Sequence, residues 1–440
     1  MTRRIALAGT VAALAATVFL LGSALSPASE AEPAAPRASL GAEVTKQTFA
    51  GFSLGNTTRL IDDLQSRVRA RPDDARSLTL LGLAYQQRAR ETGDTSFFPK
   101  SEGVLRRALA LTPNDPLPIS GLASLALARH RFLDALALGR RALRRDARAG
   151  RNWGIVGDSL LELGRYKEAF RAFDTMVRVE PDLPAYARIS YARELLGRPA
   201  EAIEPMRAAV EASGFQQEPY AWSRVQLGKL FWSMGRLEAA RREYRGALAA
   251  FPGYVHALDA LAHVEAARGR LSRAIALERR AVETMPLPQF VAALGDFYSA
   301  AGRGQLARRQ YQLIEALDRL LESNGVKTDL ETALFNVDHG IRLGETLRRA
   351  RLAQRDRPSI QADDVLAWAL VRNGRCGEAR GYSQRALRLG TKDALIFFHR
   401  GMVERCLGSD ARARDWFKRA LALNPHFSVR WAPVAKRYAS

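Results

Sequence analysis

The chain has 440 residues, 47% of them hydrophobic and only 8% aromatic, so it buries a core built mostly from small aliphatic side chains and is not disordered throughout. With 33 Gly, 19 Pro and 2 Cys it is neither a low-complexity tract nor a disulfide-rich scaffold, and it has too few thiols for a cysteine-based zinc ribbon. Lys and Arg outnumber Asp and Glu by 67 to 46, a formal net charge of +21, and 59 of those 67 are Arg. That balance favours acidic partners, unless the charge is merely spread over solvated helix faces, and no block of five or six like charges interrupts the chain.

At the amino terminus, Arg3 and Arg4 precede an uncharged apolar run over residues 5–25 and a small-x-small site, Ser29-Glu30-Ala31. This reads as an export signal (residues 1–31) cleaved after Ala31, or as a retained signal anchor, since about 20 apolar residues also span a bilayer. Residues 32–56, with Pro33 and Pro36, read as a flexible linker. The bulk of the chain is therefore expected outside the cytoplasm, secreted or membrane-anchored.

From residue 57 onward a period of about 34 residues takes over. Its clearest copy runs Asn152, Trp153, Gly154, Ile155, Val156, Gly157, then Gly164, Arg165, Tyr166, Ala169, Phe173 and Pro181. A second has Leu227, Gly228, Phe231, Gly235, Arg236, Ala240, Tyr244, Ala247 and Pro252. Gly269, Gly302, Gly374 and Gly408 each precede an alanine five residues on, at Ala274, Ala307, Ala379 and Ala413. In such a unit Gly ends one helix and Pro stops the next.

These residues resemble the tetratricopeptide repeat, over nearly all of residues 57–428. The resemblance implies an all-α fold, an α-solenoid superhelix of about ten helix-turn-helix repeats that bury their apolar faces only by stacking. The expected division is a solenoid over 57–323, a degenerate repeat over 324–358, further repeats over 359–428 and a capping helix over 429–440. A half-unit from Thr57 to Pro72 would cap the other end. Thr92 to Pro99 reads as an insertion between two helices, Gln305 to Ser323 as a lengthened helix, and the degenerate copy as a kink or a boundary between sub-solenoids.

Catalytic motifs are lacking: there is no phosphate loop, no His-Glu-x-x-His, no Gly-x-Ser-x-Gly, and no cofactor signature. Asp73-Asp74 and Asp363-Asp364 are read as helix caps. His256, Asp259 and His263, at i, i+3 and i+7, share one helix face; they are read as polar groove residues, with a metal-dependent hydrolase as a remote alternative because two turns separate the histidines. By the register of the resemblance, the concave face carries Tyr191, Trp222, Lys229, Trp232, His256, Asp259, His263, Asp296, Trp368, Arg372 and Phe398, a mixture of exposed aromatics and charge suited to an extended peptide or a partner helix. Thr79 and Leu83 stand where carboxylate-clamping members of the family need Lys and Asn, so that ligand is not carried over. Cys376 and Cys406 lie near the same end of adjacent units and are expected to bond in an oxidising compartment, two buried thiols being the alternative. The expected function is a non-catalytic protein-interaction scaffold with no cofactor, no metal and no specific nucleic acid; the alternative is binding of polyanions or an anionic membrane or cell-wall surface through the arginines.

Overall fold

The computed structural model describes residues 57–214 and 216–440, and the expected export signal and linker lie outside these. The described residues form 22 helices and no strand. After α1 (Thr57–Ala70), the helices pair as α2 (Ala75–Thr92) with α3 (Phe97–Leu111), α4 (Pro116–Ala128) with α5 (Phe132–Arg145), α6 (Gly150–Glu162) with α7 (Tyr166–Val179), and α8 (Leu183–Leu195) with α9 (Pro199–Ala212). The middle pairs are α10 (Gln217–Ser233) with α11 (Leu237–Ala250), α12 (Val255–Ala267) with α13 (Leu271–Thr284), and α14 (Pro288–Ala300) with α15 (Gly304–Ser323). The last are α16 (Asp329–His339) with α17 (Leu343–Asp356), α18 (Ile360–Arg372) with α19 (Cys376–Ala386), and α20 (Ala394–Cys406) with α21 (Asp410–Leu423), followed by α22 (Ala432–Ala439).

Local chemistry sets these boundaries. The Asp74 carboxylate accepts the backbone N–H groups of Arg76 and Ser77, each at 3.1 Å, and the Asp115 carboxylate accepts that of Leu117 at 2.9 Å, satisfying donors that a helix start leaves open. Asp363 and Asp364 are not caps: Ser359 caps α18, which starts at Ile360 and so carries both carboxylates inside its first turns. There Asp363 takes Arg388 at 2.6 Å and Asp364 takes His399 at 2.8 Å.

The two helices of a pair occupy different layers. In α4, ten of 13 residues are buried, whereas α5 buries five of 14. First helices are thus enclosed on most sides and form the inner layer, while second helices show one face to solvent. The layers approach closely because small residues face large ones: a Cβ at Gly157, Gly228 or Gly295 would overlap the ring of Phe173, Tyr244 or Tyr311.

The stack also winds back on itself. Tyr166 Oη accepts the Ile360 N–H at 2.7 Å, Thr391 Oγ1 donates to the Leu195 carbonyl at 2.5 Å, and Asn424 Nδ2 donates to the Trp232 carbonyl at 2.8 Å. Arg357 bonds Glu162 and, at 3.1 Å, Glu331. His130, whose φ of +56° occupies the left-handed position that glycine fills in other pairs, donates from Nδ1 to the Lys327 carbonyl at 2.8 Å. The partners in these contacts across the coil lie 192 to 197 residues apart, so one superhelical turn takes between five and six repeats of 34 residues and the second turn is seated on the first.

The irregular stretches resolve within this frame. Part of the stretch from Thr92 to Pro99 lengthens the flanking helices, so that α2 runs to Thr92 and Arg90 near its end reaches Glu218 at 2.5 Å. The helix α15 has 20 residues where most second helices have 14. The degenerate copy folds as an ordinary pair: Leu330, Leu334 and Val337 share a core cluster with Trp368 and Val403, so the core continues through it. At the carboxyl end the helix begins at Ala432 rather than Val429, because Ser428 Oγ accepts the N–H groups of Arg430 and Trp431 and holds that segment in a turn. Cys376, opening α19, and Cys406, closing α20, are joined by a disulfide with Cα atoms 5.6 Å apart.

Candidate partner-binding face

The polar side chains of the inner layer fall into two groups, an upper and a lower half. The upper half is formed by α8, α10 and α12. It holds Glu194, Lys229, His256, Asp259 and His263, with Trp232 set edge-on to the His263 ring at 6.1 Å. His263 Nε2 lies 3.6 Å from Asp259 Oδ1 and its ring meets Phe297 at 5.2 Å, while His256 turns the other way, between Tyr254 and Phe290. The helix-face triad is therefore split, and no three His, Cys, Asp or Glu side chains among the described residues are grouped to hold a metal ion.

Enclosure shifts the charges here. Burial pushes the Glu194 carboxyl up to about 8, helped by the charge of Asp393 and opposed by Lys229. Burial also brings the Lys229 ammonium down to about 8 against the pull of Asp259 and Glu194, and lowers His256 to about 4, with Lys229 adding to the effect. Neither the Lys229 ammonium nor the Glu194 carboxyl makes a hydrogen bond or ion pair with another described residue, although both are only partly exposed.

A stability profile tests this enclosure. Between about pH 4.5 and 8 the folded chain keeps a proton on Glu194 that the unfolded chain has lost, so this group's contribution is full below 4.5 and is lost as pH rises to 8. Subtracting the melting-temperature profile of Glu194→Gln from that of the unsubstituted chain is expected to leave a difference falling across that window. A flat difference would show that the carboxyl is solvated. His256 acts at lower pH with the opposite slope, and the subtraction removes it.

The lower half is formed by α14, α16, α18 and α20. Asp296 Oδ1 accepts Tyr311 Oη–H at 2.8 Å and His339 Nε2–H at 3.0 Å. Asp338 Oδ1 accepts the indole N–H of Trp368 at 2.9 Å, Arg372 lies 5.4 Å from the Trp368 ring, and His399 stacks on that ring at 4.9 Å.

Four residues expected as exposed groove aromatics are buried. Trp368 and Phe398 are 1% and 0% exposed, and Tyr191 and Trp222 are 7% and 4% exposed. Tyr191 is sealed by the second turn, whose Gln361 reaches its hydroxyl at 3.4 Å, and Trp222 belongs to the core that runs from α8 to α12. Trp368 and Phe398 are covered by the chain's own carboxyl-terminal segment. Asp259 and Asp296 are buried as well, while Lys229, Trp232, His256, His263 and Arg372 remain partly accessible. The reading from the repeat register missed Glu194 and the covering segment; a carboxylate near a helix end and a short tail carry no periodic signal.

A continuous stack of helical hairpins in two layers defines an α-solenoid repeat protein. The family model described as tetratricopeptide repeat matches residues 120–184, 157–216, 225–287 and 365–426, about half of the chain, and the chain belongs to that family. Anaphase-promoting complex subunit 7 of Arabidopsis thaliana is 30% identical over 146 residues, which is 33% of this chain and 26% of that protein, so the chain spans about a quarter of its relative's length. Among solved structures, a human IFIT1 dimer with m7Gppp-AAAA is 14% identical over 80% of this chain and 78% of that one, with a TM-score of 0.48. The APC/C hetero-tetramer Cut9–Hcn1 is 13% identical over 92% and 97%, with a TM-score of 0.33. Tetratricopeptide repeat proteins bind protein or peptide partners and are generally non-catalytic scaffolds.

Proposed function

We propose that the chain is a non-catalytic scaffold working outside the cytoplasm, and that it holds a peptide or partner segment against the inner layer. One observation carries this reading: Lys229 and Glu194 are partly accessible on the inner layer and feel each other's charge, yet neither makes a hydrogen bond or a close ion pair with another described residue. Because no other side chain of the fold takes up their hydrogen-bonding capacity, both groups are open to a segment that binds between them. The bonded pair Cys376–Cys406 supports an oxidising location, in keeping with the export signal expected over residues 1–31. The test is affinity co-purification of the exported chain beside a Lys229→Met, Glu194→Gln variant. A protein partner retained by the first and lost by the second is expected; identical partner sets would overturn the reading.

A second reading has its own observation. Arg140, Arg207, Arg245, Arg279, Arg351 and Lys418 sit at the same register position of six second helices, all exposed on the outer layer, and Asp174, Gln312 and Gln384 interrupt the series in α7, α15 and α19. A cationic row of this kind would hold a polyanion or an anionic surface, and its signature is retention that fails as salt is raised.

A further inference from the structure

The carboxyl-terminal segment does more than end the stack. From Asn424, bonded to the Trp232 carbonyl, it leaves the wall and crosses the lower half of the inner layer. Val429 packs on the cluster of Ala293, Leu294 and Phe297. Arg430 Nη2 lies 3.4 Å from both Asp296 Oδ1 and Tyr311 Oη. The Trp431 indole donates to Asp338 Oδ1 at 3.0 Å, stacks on Phe398 at 5.4 Å and stands edge-on to Trp368 at 5.6 Å. Two carboxylates, one hydroxyl and two rings from four repeats thus converge on one Arg-Trp pair.

The fit is incomplete. Oδ1 of Asp338 takes both indole N–H groups, while its Oδ2 is buried without a hydrogen-bond partner among the described residues, as is Arg430 Nε. Buried polar atoms left open weaken a contact, so a segment offering one more donor at Asp338 would bind this surface better than the chain's own tail does.

We infer that residues 428–431 are an intramolecular ligand of the lower inner face, and that the partner enters this half with a segment of the same chemistry, a basic residue directly followed by an aromatic one, displacing the tail. This rests on the scaffold reading and adds the partner's chemical class to it. A partner that meets Lys229 and Glu194 first would reach the covered half by moving along the same face.

The test uses a fluorescent peptide of residues 426–440. The full chain carrying Arg430→Ala and Trp431→Ala is expected to bind it about tenfold more tightly than the unsubstituted chain, because its site is no longer filled. Adding Asp338→Asn to that variant, or Trp431→Ala to the peptide, is expected to remove the gain. Equal binding by the two chains, or a gain that survives Asp338→Asn, would overturn the inference. If the double variant does not fold, hydrogen exchange on the unsubstituted chain decides: excess peptide should speed exchange of the α22 amides, and unchanged exchange would overturn it. Failure here leaves the scaffold reading standing, since that reading depends on a protein partner lost with Lys229 and Glu194.

Discussion

Arg357→Ala is expected to cost about 3 to 5 kcal/mol, the usual penalty for removing one partner of a buried ion pair. Arg357 joins the two superhelical turns by bonding Glu162 of α6 and Glu331 of α16, and all three are buried at 4% to 6% exposure. Burial opposes the guanidinium's charge, but the two carboxylates more than offset it and hold its pKa above the ordinary arginine value. Without the guanidinium, two carboxylates would face each other in the seam, stripped of water and of their cation. Urea unfolding followed by circular dichroism measures the loss. Replacing all three by apolar residues of similar volume is expected to recover most of it, since the charged set offsets its own desolvation and little more. A loss below about 1 kcal/mol in the single variant would mean that water reaches the seam.

Gly197→Ala comes next, with an expected cost above about 2 kcal/mol. Gly197 has a φ of +73°, a conformation that costs an alanine about 1 to 2 kcal/mol by itself. Here the added Cβ also meets the Gly390 carbonyl oxygen of the second turn, and backbone on both sides leaves no rotamer to relieve the overlap. Gly269→Ala separates the two effects: its φ is +77° but nothing lies within 4 Å of the new Cβ. Gly197→Ala should therefore melt well below Gly269→Ala and show a larger radius by solution X-ray scattering. Equal losses would mean that the turns do not touch in solution.

Much of the local structure was legible in the chain because each repeat repeats its own physics. Gly164, Gly235 and Gly374 recur because only glycine takes the left-handed hairpin position cheaply, and Gly157 and Gly228 recur because a ring sits on each. His130 breaks that rule, and the sequence alone offers no reason; the reason is a carbonyl 197 residues away. The metal reading of His256, Asp259 and His263 rested on a shared helix face, but neighbouring rings and one carboxylate draw the two histidines apart.

By itself, then, the sequence determined the all-α repeat architecture, the direction in which each helix shows its apolar face, and the identity of the residues that stack one repeat on the next, since these depend on separations of one period or less. The tertiary structure alone decided which inner-layer side chains stay accessible. That outcome depends on a small rotation between repeats, summed over five or six of them, which seats Ile360 on Tyr166, buries Tyr191, and lets residues 428–431 close over Trp368 and Phe398. A small angle per repeat leaves no mark in any one repeat's pattern, yet its sum sets which inner-layer side chains the second turn covers.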